Sequence, residues 1–468
     1  MSEQQMTGKT HKVWDQERLR VGLFGTAALF LFIVFSTWSG VPAGERALIF
    51  WIGVAVLVIT LAVFGMVTWH FLFQPLPAGQ TIERQSIKTD YRQALALLLG
   101  VGQLGITVGA FWDEIWHRQY GIPFGEDFFW RPHLLMYLGM TIATALGFAG
   151  LYLITRHRQG TLQQRFRANP VVGLLVLVGA FLLYALPADP LWHTIYGEDL
   201  TAWSVPHLLL FVSFESILLM AAAIHMTTQP RREWGTLRQL RVSDALPLLM
   251  FAALSLNWNQ FFTTEWDGTA GLVAARPEWL LPVMIAGGAA LVGVTANHTL
   301  RMSGAATLTG LLALILRVAL IQLFKAENMM LVNAWALALP PLLLIDLWYV
   351  YRRGVWAGAG AAATVGMGIV LLTIFRQFYP LAPLTNLPIT LVMVLAGSLG
   401  MSWLGATLGD YFAERNKQVE TDASRLRLPL ASLDMAGVTV ILIIIFAAFI
   451  VFFVTTATPP VPFMLPSG

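Results

Sequence analysis

The chain has 468 residues, of which 57% are hydrophobic and 12% charged, with no cysteine and a net charge of +3. A mean hydropathy of +0.67 excludes an ordinary soluble domain and points to an integral membrane protein. The small positive charge lies scattered through loops and offers no basic surface for nucleic acid; the missing cysteine removes disulfides and thiolate ligands.

Apolar runs long enough to cross roughly 30 Å of hydrocarbon as helices recur from end to end. They are too long and continuous for barrel strands, so the fold class is read as all-α, a polytopic transmembrane helix bundle. Thirteen spans are expected, at approximately 21–40, 46–73, 93–114, 132–155, 170–188, 206–226, 244–263, 278–299, 303–323, 329–351, 356–375, 387–409 and 435–457. Lys and Arg crowd into alternate loops, among them Arg156, Arg158, Arg165 and Arg167, Arg231, Arg232, Arg238 and Arg241, and Arg415, Lys417, Arg425 and Arg427. The intervening loops hold only Arg46, Arg118, Arg131, Arg276, Lys325 and Arg376. By the positive-inside rule the N-terminus is expected in the cytoplasm and the C-terminus outside.

Five regions follow. Residues 1–20 read as a cytoplasmic or interfacial segment with no signal-peptide core, 21–92 as two plain spans, and 93–226 as duplicated hairpins. Residues 227–457 form a second helical half, and 458–468 a Pro-rich outer tail. His70, His225 and His298 stand at inner ends of spans and are expected to be hydrogen-bonded boundary residues; His11 and His157 belong to solvated basic segments.

The third span runs into FWDEIWHRQYGIPFGEDFFWRPHLLMYLG, residues 111–139, and the fifth into LPADPLWHTIYGEDLTAWSVPHLLLF, residues 186–211. Each carries Asp-x-x-Trp-His, then Tyr-Gly, an acidic pair and a Pro-His that opens the next span. The Asp and first His recur 76 positions apart (189 − 113), the second His 74 apart (207 − 133). Residues four apart share a helix face, so Asp113 can meet His117, and Pro132 suits the first turn of the next helix, with His133 at its mouth. Asp189, His193, Pro206 and His207 repeat the pattern. Two imidazoles and a carboxylate are ordinary first-row metal ligands, so both trios are candidate metal sites facing the outer side. The bland alternative is an interfacial belt of Trp116, Trp130, Trp192 and Trp203 with capping polar residues. Glu126–Asp127 and Glu198–Asp199 read as solvated loop charges or helix caps.

Glu265, Trp266 and Asp267, followed by Arg276-Pro277-Glu278-Trp279, look like a degraded third copy or, more simply, an interfacial loop rich in Trp. Asn257, Asn259 and Gln260 make the outer half of the seventh span polar, which suits a protein-facing surface or a cavity. Ionisable residues at membrane depth need partners. Glu215, eight residues and about 12 Å below His207, is expected to pair with Arg317, and Asp346 with Arg352 or Arg353. Small residues at 358–368 and 397–409 suit close helix packing.

With these motifs the stretch 95–226 resembles the C subunit of the particulate methane and ammonia monooxygenases. That family carries an Asp and a His four residues apart, another His about a dozen residues later, and a second such set in the next hairpin. The resemblance implies copper held by Asp113, His117 and His133 and again by Asp189, His193 and His207. Asp189 stands where the family usually has Asn, and Met136, Tyr137 and Leu210 stand where it has a glutamate. Zinc or iron suits the same donors, so copper rests on the resemblance. The function it implies is a copper-dependent membrane oxidoreductase, a monooxygenase-like hydroxylase of a small apolar, membrane-soluble substrate. Such a protein is embedded in membrane lipids and works with further subunits or as a homo-oligomer. A non-catalytic metal-binding scaffold subunit and a transporter stand as alternatives. The metal readings require each trio to close around one ion at about 2.0–2.2 Å.

Overall fold

In a computed structural model the described residues are 45–75, 87–120, 129–156, 160–196, 205–263, 279–324, 334–373, 386–414 and 435–458. The first expected span, both acidic pairs, most of the possible third copy and nearly all of the Pro-rich tail lie outside them. The described chain is helical almost throughout: α1 Glu45–Thr68, α2 Thr89–Tyr120, α3 Arg131–Thr155, α4 Leu162–Ala168, α5 Pro170–Ala185, α6 Ala188–Tyr196, α7 Val205–Met226, α8 Ala245–Thr263, α9 Leu280–Leu300, α10 Ala305–Leu323, α11 Ala334–Leu337, α12 Leu339–Tyr351, α13 Trp356–Thr373, α14 Leu387–Glu414 and α15 Met435–Thr455. Two short segments, β1 (Gly235–Thr236) and β2 (Met302–Ser303), pair in parallel.

Ten helices among the described residues are long and apolar enough to cross a membrane, the make-up of a multi-pass membrane protein. Two expected spans depart from that form. Residues 329–351 do not make one continuous helix: α11 ends at Leu337 and α12 begins at Leu339, where Pro340 and Pro341 occupy the first turn and have no N–H to extend an earlier helix. Helix α8 forms over 19 residues but is not among the ten, its last third being polar with Asn257, Asn259 and Gln260. That third faces protein, as expected. Asn259 and Gln260 are buried, and Gln260 donates to the Ala110 carbonyl of α2 at 3.2 Å.

Helix α9 is the axis, buried along its entire length between α8, α10, α12, α13 and α14. Its closest neighbour is α14, where a methyl added at Gly405 or Gly409 would lie 2.7 or 2.8 Å from the carbonyls of Leu291 and Thr295. A second packed group joins α2, α3, α5, α7 and α8, with α15 laid against α2. Within it α2 and α3 meet almost backbone to backbone. A Cβ at Gly139 would come within 2.6 Å of the Gly102 carbonyl, and one at Gly109 within 2.8 Å of the Pro132 carbonyl. Small residues bring helices this close because dispersion and packing hold them together where no hydrophobic drive acts in lipid.

Where α9 ends, polar side chains tie the bundle. Asp346 does not pair with Arg352 or Arg353. Its carboxylate instead accepts from Asn297 Nδ2 (2.8 Å), Gly304 N (2.8 Å) and Thr307 N (2.6 Å), so it caps α10 from a neighbouring helix. The chain reaches that cap through left-handed Arg301 and Gly304. His298, at 1% exposure, faces Asp410 through Nδ1 (3.0 Å) and the Tyr349 hydroxyl through Nε2 (2.9 Å). It is hydrogen-bonded at the end of its helix, as expected, and is buried there as a crosslink between helices. His70 and His225 do sit as expected, bonded to Gln74 Oε1 and to the Ser243 carbonyl.

Replacing Gly139 with valine should separate α2 from α3 and destabilise the fold by about 1–3 kcal/mol or more, the usual cost of overpacking. Thermal unfolding of the detergent-solubilised protein reads this as a lowered midpoint.

Candidate metal centre

Asp113 and His117 occupy the last turns of α2, one turn apart and therefore on one face. Helix α3 starts at Arg131 with Trp130 before it and Pro132 in its first turn, which places His133 one residue further in. The glycine contacts below bring these two helix ends together. His117 Nε2 lies 3.2 Å and His133 Nε2 2.9 Å from the same oxygen, Asp113 Oδ1. One donor atom from each of the three residues lies within 4.8 Å of the other two.

The setting is partly enclosed, with side-chain exposures of 20% for Asp113, 23% for His117 and 12% for His133. Trp130 stacks on the His117 ring (centroids 5.0 Å apart, planes at 30°), and Tyr137 stands 6.0 Å from the His133 ring. Trp116 and Trp130 are themselves buried, packed with Trp112, Phe111 and Ile115, so they do not form the lipid-facing belt considered above. Arg131 donates to the Phe453 carbonyl and to Thr456 Oγ1, both at 2.9 Å, which fastens α15 to the same mouth.

The donor set fits a first-row metal. Bonds of about 2.1 Å to one tetrahedral ion place ligand atoms roughly 3.4 Å apart, close to the two nitrogen–oxygen distances of 3.2 and 2.9 Å and within the 4.8 Å that bounds the trio. Both imidazoles converge through Nε2 on a carboxylate oxygen, so a small movement of each turns a trio in close contact into a coordinated one. Two neutral imidazoles and one carboxylate leave further positions for solvent or substrate.

In the second hairpin, α6 carries Asp189 and His193, and α7 opens with Val205, Pro206 and His207. His207 Nε2 lies 3.2 Å from Asp189 Oδ1, the counterpart of the His133 contact. The side chain of His193 lies outside the described residues.

Three features around the first trio were missed or misassigned by sequence reasoning. Arg317 does not pair with Glu215; its guanidinium lies 3.8 Å from Glu114 Oε2 and 4.0 Å from the centroid of the Phe111 ring. Glu114 follows Asp113 directly but points about 100° around the helix, so the two carboxylates serve different neighbours. The Arg131 clasp on α15 spans more than 300 residues of sequence and left no local signal. Glu114 could have been noticed as a second acid in Asp-Glu-x-x-His.

Set beside known proteins, the chain matches no family model, no curated protein and no solved structure.

Replacement of His117, His133 or Asp113 by alanine should each lower metal affinity by more than the roughly 10–100-fold typical of losing an outer-shell partner. Helical content by circular dichroism should stay at the wild-type level. Metal titration of the purified variants reads both the affinity and the stoichiometry. Wild-type affinity in all three variants would mean that the trio is a self-contained hydrogen-bond cluster.

Proposed function

We propose that this chain is a membrane metalloprotein whose Asp113–His117–His133 trio holds one transition-metal ion. On the resemblance set out above, the ion is copper and the protein is an oxidoreductase that hydroxylates a small apolar substrate dissolved in the bilayer. One observation carries the metal reading: two imidazole nitrogens and a carboxylate oxygen, delivered by two different helices, gather within 4.8 Å at one mouth of the bundle. The Asp189–His207 contact of the second hairpin supports it, because chance capping would not repeat the same pair at the same places.

Copper bound there would supply redox chemistry with O2. The chain's own residues would do the rest. Asp113 contributes the charge that offsets the cation and aims both imidazoles. Trp130 and Tyr137 flank the rings and restrict water. The apolar faces of α2 and α3 offer a membrane-soluble substrate an approach from the bilayer. The positive-inside pattern supports an outer-facing mouth in a cytoplasmic membrane, and further subunits or a second copy of the chain would complete the assembly.

A second reading, a metal-holding subunit without chemistry of its own, draws on the 12–23% exposure of the trio, which suits an ion that is exchanged with a partner. The two are separable. Copper-loaded wild-type protein in nanodiscs should consume O2 in the presence of a reductant and a short-chain alkane, and His133→Ala should reduce this by at least about a hundredfold. Bound copper with no O2 consumption supports the metal-holding subunit; no bound copper overturns the oxidoreductase, and no bound transition metal at either set overturns both.

A further inference from the structure

Glu215 sits at the middle of α7, ten residues from its first residue (215 − 205) and eleven from its last (226 − 215), and is 7% exposed. A carboxylate at that depth is costly unless something offsets its charge. No cationic side chain among the described residues pairs with it, since Arg317 is engaged by Glu114. Glu215 meets the Asn257 side chain of α8, yet neither carboxylate oxygen has a well-formed hydrogen bond.

Two more buried polar groups stand at this level. On α2, Gly100, Gln103, Thr107 and Ala110 form one stripe at helical spacing. A Cβ on Gly100 would touch Met250 at 3.5 Å, and Ala110 accepts from Gln260, so α2 and α8 run side by side with a constant offset of 150. Thr107 therefore lies opposite Asn257. The antiparallel register of α2 and α7 is set by Arg92, which donates to the Thr227 carbonyl at 3.0 Å. Eleven residues along α2 (103 − 92) and twelve back along α7 (227 − 215) bring Gln103 level with Glu215. Gln103 is wholly buried and Thr107 is 3% exposed, and Gln103 Oε1, Gln103 Nε2 and Thr107 Oγ1 have no hydrogen-bond partner.

We propose that Glu215, Asn257, Gln103 and Thr107 form an intramembrane binding site for a small monovalent cation of the sodium class. The chemistry points to that ligand. All the acceptors are hard oxygens, which suit alkali and alkaline-earth ions and not copper. The single negative charge is cancelled by one positive charge, whereas a divalent ion would leave an excess charge in the bilayer. A proton on Glu215 would neutralise the carboxylate but fill only one acceptor; an ion with several oxygen ligands draws in the amide and hydroxyl oxygens of α2 and α8 together. The site shares no residue with the trio at the helix mouth, and it stands whether or not that trio binds metal.

The test is thermal unfolding of the full chain in detergent at fixed ionic strength, with sodium chloride titrated against choline chloride. Wild-type protein should show a saturable, sodium-dependent rise in midpoint. Glu215→Gln should abolish it, and Thr107→Val should raise the half-saturating sodium concentration by about tenfold, the cost of one lost ligand near 1.4 kcal/mol. If Glu215→Gln does not fold, Gln103→Leu carries the comparison. Equal midpoints in sodium and choline for wild type overturn the site, as does an unchanged sodium response in Glu215→Gln or, where that variant fails to fold, in Gln103→Leu. A midpoint that follows pH and ignores sodium overturns the cation in favour of a protonated glutamate.

Discussion

The close approach of α2 and α3 is the contact on which the rest turns. Each helix places a glycine where the other's backbone passes, and the added methyls would stand under 3 Å from carbonyl oxygens at Gly102 and Pro132. Only that separation lets a side chain from the end of one helix share an oxygen with a side chain from the start of the next. Asp113 then becomes the hub of two imidazoles because Pro132 starts α3 at the right residue. The local rules are simple, a four-residue spacing and a proline-led first turn, but they produce a site only when the two helix axes are this near.

A second theme is how a largely apolar bundle handles its charges. Burial makes an unpaired ionic group expensive, and several of those described find a partner or a set of dipoles. Asp346 is surrounded by backbone N–H groups and an Asn amide, so that one carboxylate replaces the missing first-turn partners of α10. His298 is fixed between an acid and a phenol, and Arg301 meets the same Asp410 at 2.8 Å. Arg317 lies over an aromatic ring beside Glu114. Against this background Glu215 stands apart, a mid-depth carboxylate among neutral amides.

The two hairpins show how a duplicated motif can diverge in its supports. Both keep an Asp oxygen within 3.2 Å of the His that follows the Pro. The first sits well inside one long helix, α2, whereas in the second the Asp stands two residues after Pro187, near the end of the 23-residue stretch Pro170–Trp192 that carries α5 on into α6. The first therefore inherits the rigidity of a helix packed along its length, and the second is joined to the bundle mainly through α5 and α7.

By itself the amino-acid sequence determined that the chain is a bundle of membrane-length helices, where most of them lie, and that Asp113, His117 and His133 form a set echoed by Asp189, His193 and His207. These are consequences of composition and of short-range spacing, which a linear pattern carries in full. The break between α11 and α12 was also written locally, in Pro340 and Pro341, and was overrun only because the apolar run continues through it. The tertiary structure alone decided which charge meets which: Arg317 with Glu114 and not Glu215, Asp346 with the start of α10 and not with Arg352 or Arg353, His298 with Asp410 and Tyr349. Pairings of this kind depend on helix rotation and neighbour order, which arise from glycine contacts and side-chain volumes summed over distant segments, and no local pattern encodes them.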